Sequence, residues 1–253
     1  MSFFRHKKII CILSVMMVLC LCGQEVGDSS EVSDLSEIDD SSDKPLIEVR
    51  QERPSGKITG ILPPARLIPG LSKRFFNAIK FLPKNFIKNS GIRYVTFLLK
   101  PKLKGIPVRG LASKGKQTIY LSTEFTAKNV YHELFHIFDP ISENTEWRSL
   151  NAHNFVYTGS KFYSENLSKS RFKRAQTNLK RRTYNADFVS RYAMSNERED
   201  RAETFAYMIV EGPNFLKRTR QSRVLKRKMD YIIKITTEKQ LVTASFWKRR
   251  FRR

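Results

Sequence analysis

The run VYHELFHIFDP (130–140) places His132, Glu133 and His136 at the spacing H-E-x-x-H. No other stretch constrains the fold of this chain as much. Residues four apart share one face of a helix, so both imidazoles can reach a single metal ion. Glu133, one position round from His132, sits beside the open coordination position, where its carboxylate can take a proton from a metal-activated water. With four His and fifteen Glu in 253 residues, three independent draws would spell the motif roughly 0.004 times per chain. The motif supplies two ligands, and zinc catalysis usually wants a third plus a water.

The chain is long enough for one sizeable domain with appendages. Arg5, Lys7 and Lys8 precede an apolar run of 13 residues, Ile9 to Leu21. That run is short for a membrane span and suits a secretory signal over 1–22. The signal ends in LCLCG, which fits simple cleavage or, as a loose lipobox, lipidation at Cys22; the expected location is secreted or cell envelope. All three cysteines (Cys11, Cys20, Cys22) lie inside it. The remainder therefore has no disulfide, no thiolate ligand and no cysteine nucleophile. Residues 23–53 read as a disordered acidic linker, with ten acids against three bases in 24–53. Residues 54–253 read as the folded domain, with 41 Lys and Arg against 14 Asp and Glu, net +27. Such a field suits a polyanion or an anionic envelope surface, although no nucleic-acid recognition motif is present. From charge alone, a peptide substrate is expected to carry acidic residues near the scissile bond.

Within the domain, apolar residues over 71–88 recur at helical spacing, with Pro83 splitting the run. Residues 92–99 and 117–122 read as strands, the second as a free edge for an extended peptide. Thr126 caps the motif helix, and Pro140 ends it. Asn196 caps a helix over 197–210, and a last helix spans 214–235. Phe75, Phe76 and Phe81 read as core, as do Trp147 and Tyr157. Eight Lys and Arg against Glu165 make 160–183 a basic insertion. The chain closes on KRRFRR. The fold class is α+β, helix-rich with a small mixed sheet.

Two histidines leave a third ligand to find. Residues 137–146 contain no histidine. His153 is one candidate. Another is a carboxylate from 197–210, where Glu199 and Glu203 stand four apart: one could ligate while the other orients an imidazole.

The stretches HELFHIFD and YAMSNEREDRAETFA (192–206) together resemble the catalytic domain of anthrax lethal factor and its bacterial relatives, zincin metalloendopeptidases with a glutamate third ligand. Asp139 matches the aspartate that follows the motif. Tyr192, Asn196, Glu197, Glu199, Ala202, Glu203 and Phe205 fall on the downstream pattern. The resemblance implies one zinc ion held by His132, His136 and Glu199, with Glu133 as general base. It further implies Glu203 and Asp139 as outer partners of the ligands, and Tyr192 as stabiliser of the oxyanion or proton donor to the amine. Phe135 departs from the glycine often found inside the motif, which alters the helix's contact with its neighbour. The 62 residues between His136 and Glu199 have no counterpart in the pattern. The implied activity is an exported zinc endopeptidase acting on peptides or proteins. Two alternatives stand beside it: an inactive zincin-fold basic module that binds polyanions, and a zinc hydrolase of non-peptide amides.

Overall fold

A computed structural model describes residues 46–54, 56–139, 144–153, 155–157 and 184–252. The signal at 1–22, most of the linker and the basic insertion at 160–183 lie outside the described residues. The linker boundary moves, however. Ile47 is buried, and Glu48–Val49 form strand β1, paired in parallel with the strand at 94–103. The apolar Leu-Ile-Glu-Val stretch joins the sheet because burying Ile47 outweighs the acidic character of what precedes it.

Strand β2 is Ile58–Ile61; helix α1, Ile68–Ile79, and helix α2, Lys84–Ser90, follow. Leu71, Phe75, Ala78 and Ile79 give α1 a buried stripe. Pro83 begins α2, since it cannot continue α1. Of the three phenylalanines read as core, Phe75 is fully buried, but Phe76 and Phe81 are 40% and 61% exposed. Phe76 lies one position off the stripe, and Phe81 falls in the break before Pro83.

Strands β3 (Tyr94–Leu103), β4 (Ile106–Pro107), β5 (Gly110–Ser113) and β6 (Thr118–Ser122) complete the sheet. Its order is β1-β3-β6-β5, with β2 and β4 pairing on β3. β1, β3 and β6 run parallel, whereas β5 is antiparallel to β6. The expectation for 117–122 is thereby corrected. β6 is hydrogen-bonded on both sides, and the edge is β5, whose residues GLAS carry too little β-branched character to announce a strand.

The motif helix α3 is Ala127–Phe138. The Thr126 side chain accepts from Asn129 N while Asn129 Oδ1 accepts from Thr126 N, closing a capping box. The helix stops at Asp139, which is extended as a residue before proline must be. Short helices α4 (Thr145–Ser149) and α5 (Tyr184–Asp187) precede α6, Glu197–Glu211. The last helix read from the sequence over 214–235 is two, α7 (Pro213–Thr219) and α8 (Arg223–Glu238, capped by Ser222), and a further helix, α9 (Ala244–Arg252), follows beyond it. The basic tail is structural in part. Arg250 donates to the carbonyls of Ile209 and Val210 at the end of α6, and Phe251 stacks on Trp247. The result is a helix-rich α+β fold with a small mixed sheet.

α3 is the keel. Every residue from Val130 to Phe138 is buried, which a basic, water-exposed helix could not tolerate. Phe135 meets Phe205 of α6 at 5.2 Å, and Phe86 of α2 stacks on the same ring at 5.6 Å. Each such ring contributes roughly 1.5–3 kcal/mol on burial. Phe135 thus lies in the contact between α3 and α6.

Candidate metal centre

α3 and α6 bring three donors together. His132 Nε2 and His136 Nε2 are 3.1 Å apart, and Glu199 Oε2 lies 3.0 Å from the first and 3.2 Å from the second. Zinc bound at about 2.0–2.1 Å in a tetrahedron spaces its ligands by about 3.3–3.4 Å. The triangle fits a zinc ion with little adjustment. Both imidazoles are buried, and Glu199 opens slightly to solvent, as a site that must admit a water and a substrate requires. His153 is exposed and stands outside this group, so of the two third-ligand candidates the structure brings Glu199 to the pair.

Glu199 arrives through the cap of its own helix: Asn196 Oδ1 accepts from the Glu199 N–H at 3.0 Å and fixes the first turn. One turn on, Glu203 Oε1 accepts from His132 Nδ1 at 3.0 Å, which holds that proton on Nδ1 and leaves Nε2 as the nitrogen that gives up its proton to a metal. Glu203 is itself held by Ser190 Oγ at 2.6 Å and Lys128 Nζ at 3.4 Å, neither of which the sequence singled out. Tyr192, in a 3-10 turn, places its ring centroid 5.7 Å from that of His132.

Arg198 Nε donates to Nδ1 of His136 at 3.2 Å. A metal on Nε2 of a neutral imidazole needs the ring proton on Nδ1, so ligation requires this exposed guanidinium to turn away.

Asp139 lies at the C-terminal end of the motif helix. It pairs with Arg201 at 2.5 Å, both side chains buried, and so ties the end of α3 to α6 directly beside the ligands. Asp200 is also a tie. It is fully buried and its Oδ2 accepts from Lys228 Nζ (2.8 Å), Trp147 Nε1 (2.9 Å) and Tyr157 OH (2.7 Å). Trp147 is core, as expected; Tyr157 is half-buried against it and bonds to the same carboxylate.

Glu133 is buried beside the triangle, against strand β5. A Cβ added to Gly110 would lie 2.7 Å from both Cγ and Oε1 of Glu133. Only glycine leaves room for this carboxylate where it stands.

The electrostatics suit the donors. Burial disfavours the imidazolium of His132, but the carboxylates of Glu199 and Glu203 outweigh it and lift its pKa to about 10. Burial lowers that of His136. Glu199 is buried too, yet the two histidines hold it well below the usual carboxylate range. Glu133 is pushed up by burial to about 7, with His132 opposing. A base that exchanges its proton near neutrality is what water activation needs.

The sequence from 107 to 252 matches the profile of the family described as "Putative zinc-binding metallo-peptidase". A comparison with curated proteins finds no match. Among solved structures, one described as "a putative zinc-binding metallo-peptidase from Bacteroides caccae ATCC 43185" is 13% identical, with 81% of this chain and 83% of that one covered at a TM-score of 0.46. The profile match contains β5, the motif helix and the helix that carries Glu199, and it takes in more than half of the sequence. The chain belongs to this zinc-binding metallo-peptidase family.

Proposed function

We propose that the protein is an exported zinc-dependent endopeptidase of the lethal factor type, with His132, His136 and Glu199 as ligands and Glu133 as general base. The observation that carries this reading is the triangle of donor atoms with a buried, proton-exchanging carboxylate beside it. A zinc ion held there supplies Lewis acidity: it brings the pKa of a water close to 7 and polarises a carbonyl. The remaining work belongs to the chain. Glu133 takes the proton of the attacking water and returns it to the leaving amine. Glu203 keeps His132 in the tautomer that faces the metal. The Tyr192 hydroxyl serves the oxyanion or the departing amine.

Substrate binding falls to β5 rather than β6. Ser122 N donates to Arg109 O, so the alternation of an antiparallel ladder turns the N–H and C=O of Gly110 and Ala112 outward. An extended peptide that adds there runs past Glu133. Exposed Arg109 precedes Gly110 and exposed Arg198 precedes Glu199. These two guanidiniums favour acidic residues beside the scissile bond. Export, with or without lipidation at Cys22, rests on the N-terminal apolar run.

Glu133→Gln tests the reading. Cleavage of an acidic peptide library should fall by 10²–10⁴-fold, the usual worth of a positioned base, while zinc stays at wild-type stoichiometry. Unchanged cleavage would end the proposal.

A further inference from the structure

Eight large apolar side chains are exposed among the described residues, and five of them (Ile61, Leu67, Phe76, Phe81 and Leu103) fall within 56–128. That same stretch has fifteen Lys and Arg and a single acid, Glu124. Exposed phenylalanine is costly in water, and a merely solvated basic face has no need of it. On α1, Lys73, Phe76 and Lys80 stand at i, i+3 and i+7 and share one face. Lys80 Nζ lies 5.6 Å over the ring of the neighbouring Phe81. Lys73, Lys80 and the following Lys84 meet no carboxylate among the described residues. The opposite side of α1 packs on the motif helix, where the Tyr131 hydroxyl donates to the Ala78 carbonyl. The aromatic and basic face is therefore turned away from α3.

We propose that this α1 face docks on a phospholipid surface rich in anionic head groups, with Phe76 and Phe81 entering the interface and Lys73 and Lys80 meeting the phosphates. Interfacial helices combine the same two ingredients: apolar anchors for the acyl boundary and cations for the head groups. Duplex nucleic acid offers phosphates but no apolar phase. Single strands stack their bases on aromatics set in a groove, whereas Phe76 stands on the convex side of a helix, edge-on to Phe75 at 5.3 Å. The inference is independent of the peptidase reading.

The test uses the full chain and vesicles of phosphatidylcholine with or without phosphatidylglycerol, read by co-sedimentation at low and high salt. The wild type should bind the anionic vesicles more tightly than the neutral ones, and less tightly as salt rises. Lys73→Gln/Lys80→Gln should weaken anionic-vesicle binding roughly thirtyfold, the worth of two lysines at a membrane surface. Phe76→Ser/Phe81→Ser should weaken it at least tenfold. Circular dichroism and zinc content should stay as in wild type, since all four side chains are exposed. The N-terminal segment is the same in every variant and contributes equally. Variants that bind like wild type would overturn the proposal. Equal binding to neutral vesicles would do so too, and so would a single-stranded oligonucleotide that displaces the vesicles and depends on the same two phenylalanines.

Discussion

The two halves of the domain treat charge in opposite ways. From 56 to 128, fifteen cations face one acid, and the sheet with its covering helices α1 and α2 carries them outward on an apolar core. From 129 onward the acids return and five of the described ones go inside: Glu133, Asp139, Glu197, Asp200 and Glu203 are all at most 7% exposed. None of these is a solvated face. Glu197 accepts from Arg148 and from the Asn144 N–H, the other four have the partners or the place beside the metal centre given above, and α6 alone holds four acids in its first seven residues. The scaffold half tolerates a one-signed surface because its stability lies in apolar contacts. The metal-site half concentrates opposite charges, and the Asp139–Arg201 pair among them ties its two helices α3 and α6 together.

The strongest way to break this contrast is to remove one partner of a buried tie. Lys228 and Asp200 are both fully buried. Burial lowers the pKa of the lysine and raises that of the aspartate, with each partner opposing the other's shift. Lys228→Met would leave the Asp200 carboxylate uncompensated, at a cost of about 3–5 kcal/mol. Adding Asp200→Asn should recover part of the loss by removing the stranded charge. Denaturant melts of the single and double variants check this. A single variant as stable as wild type would mean that the buried pairs of the metal-site half are as dispensable as the cations of the other.

That pair also shows where sequence reasoning stops. Lys228 sits in VLKRKMD, one cation among many, and its acceptor is 28 positions away; nothing local marks it as buried. The motif helix was readable because its spacing, its cap at Thr126 and its stop before Pro140 are all local. Without the family resemblance, Glu199 could be read only as one of two carboxylates at helical spacing, because the partner that selects it, the pair of imidazoles on α3, lies 63 and 67 positions upstream. Strand β5 and the requirement for glycine at 110 were not readable at all. Both are defined by what lies opposite, β6 on one side and the Glu133 carboxylate on the other. The Phe76 and Phe81 expectation failed for a related reason: apolar character at near-helical spacing does not say where the stripe ends.

A smaller effect sharpens the contrast inside the site. Glu203→Gln keeps the shape but removes the carboxylate that orients His132, so zinc affinity should fall 10–100-fold. The variant also tests the electrostatics. With its pKa near 10, His132 must release a proton to bind metal, so apparent zinc affinity in the wild type should rise about tenfold per pH unit between pH 7 and 9. Without Glu203 one of the groups that lift this pKa is gone, and the slope should flatten at the alkaline end. Calorimetric titrations in buffers of different ionisation enthalpy read affinity and proton release together. A proton release that Glu203→Gln leaves unchanged would place the oriented proton elsewhere.

The smallest expected effect lies in the scaffold half. Lys102 and Lys114 are exposed, and replacing both with Gln should shift stability by no more than about 0.5 kcal/mol. The sign carries the argument. In a stretch this one-sided the lysines repel more than they attract, so their removal should stabilise slightly at low salt, and the gain should vanish as the Debye length shortens to about 3 Å at 1 M. A salt-dependent loss instead of a gain would mean that these cations are paired with acids beyond the described residues, and that the one-signed surface is internally compensated rather than offered to an outside anion.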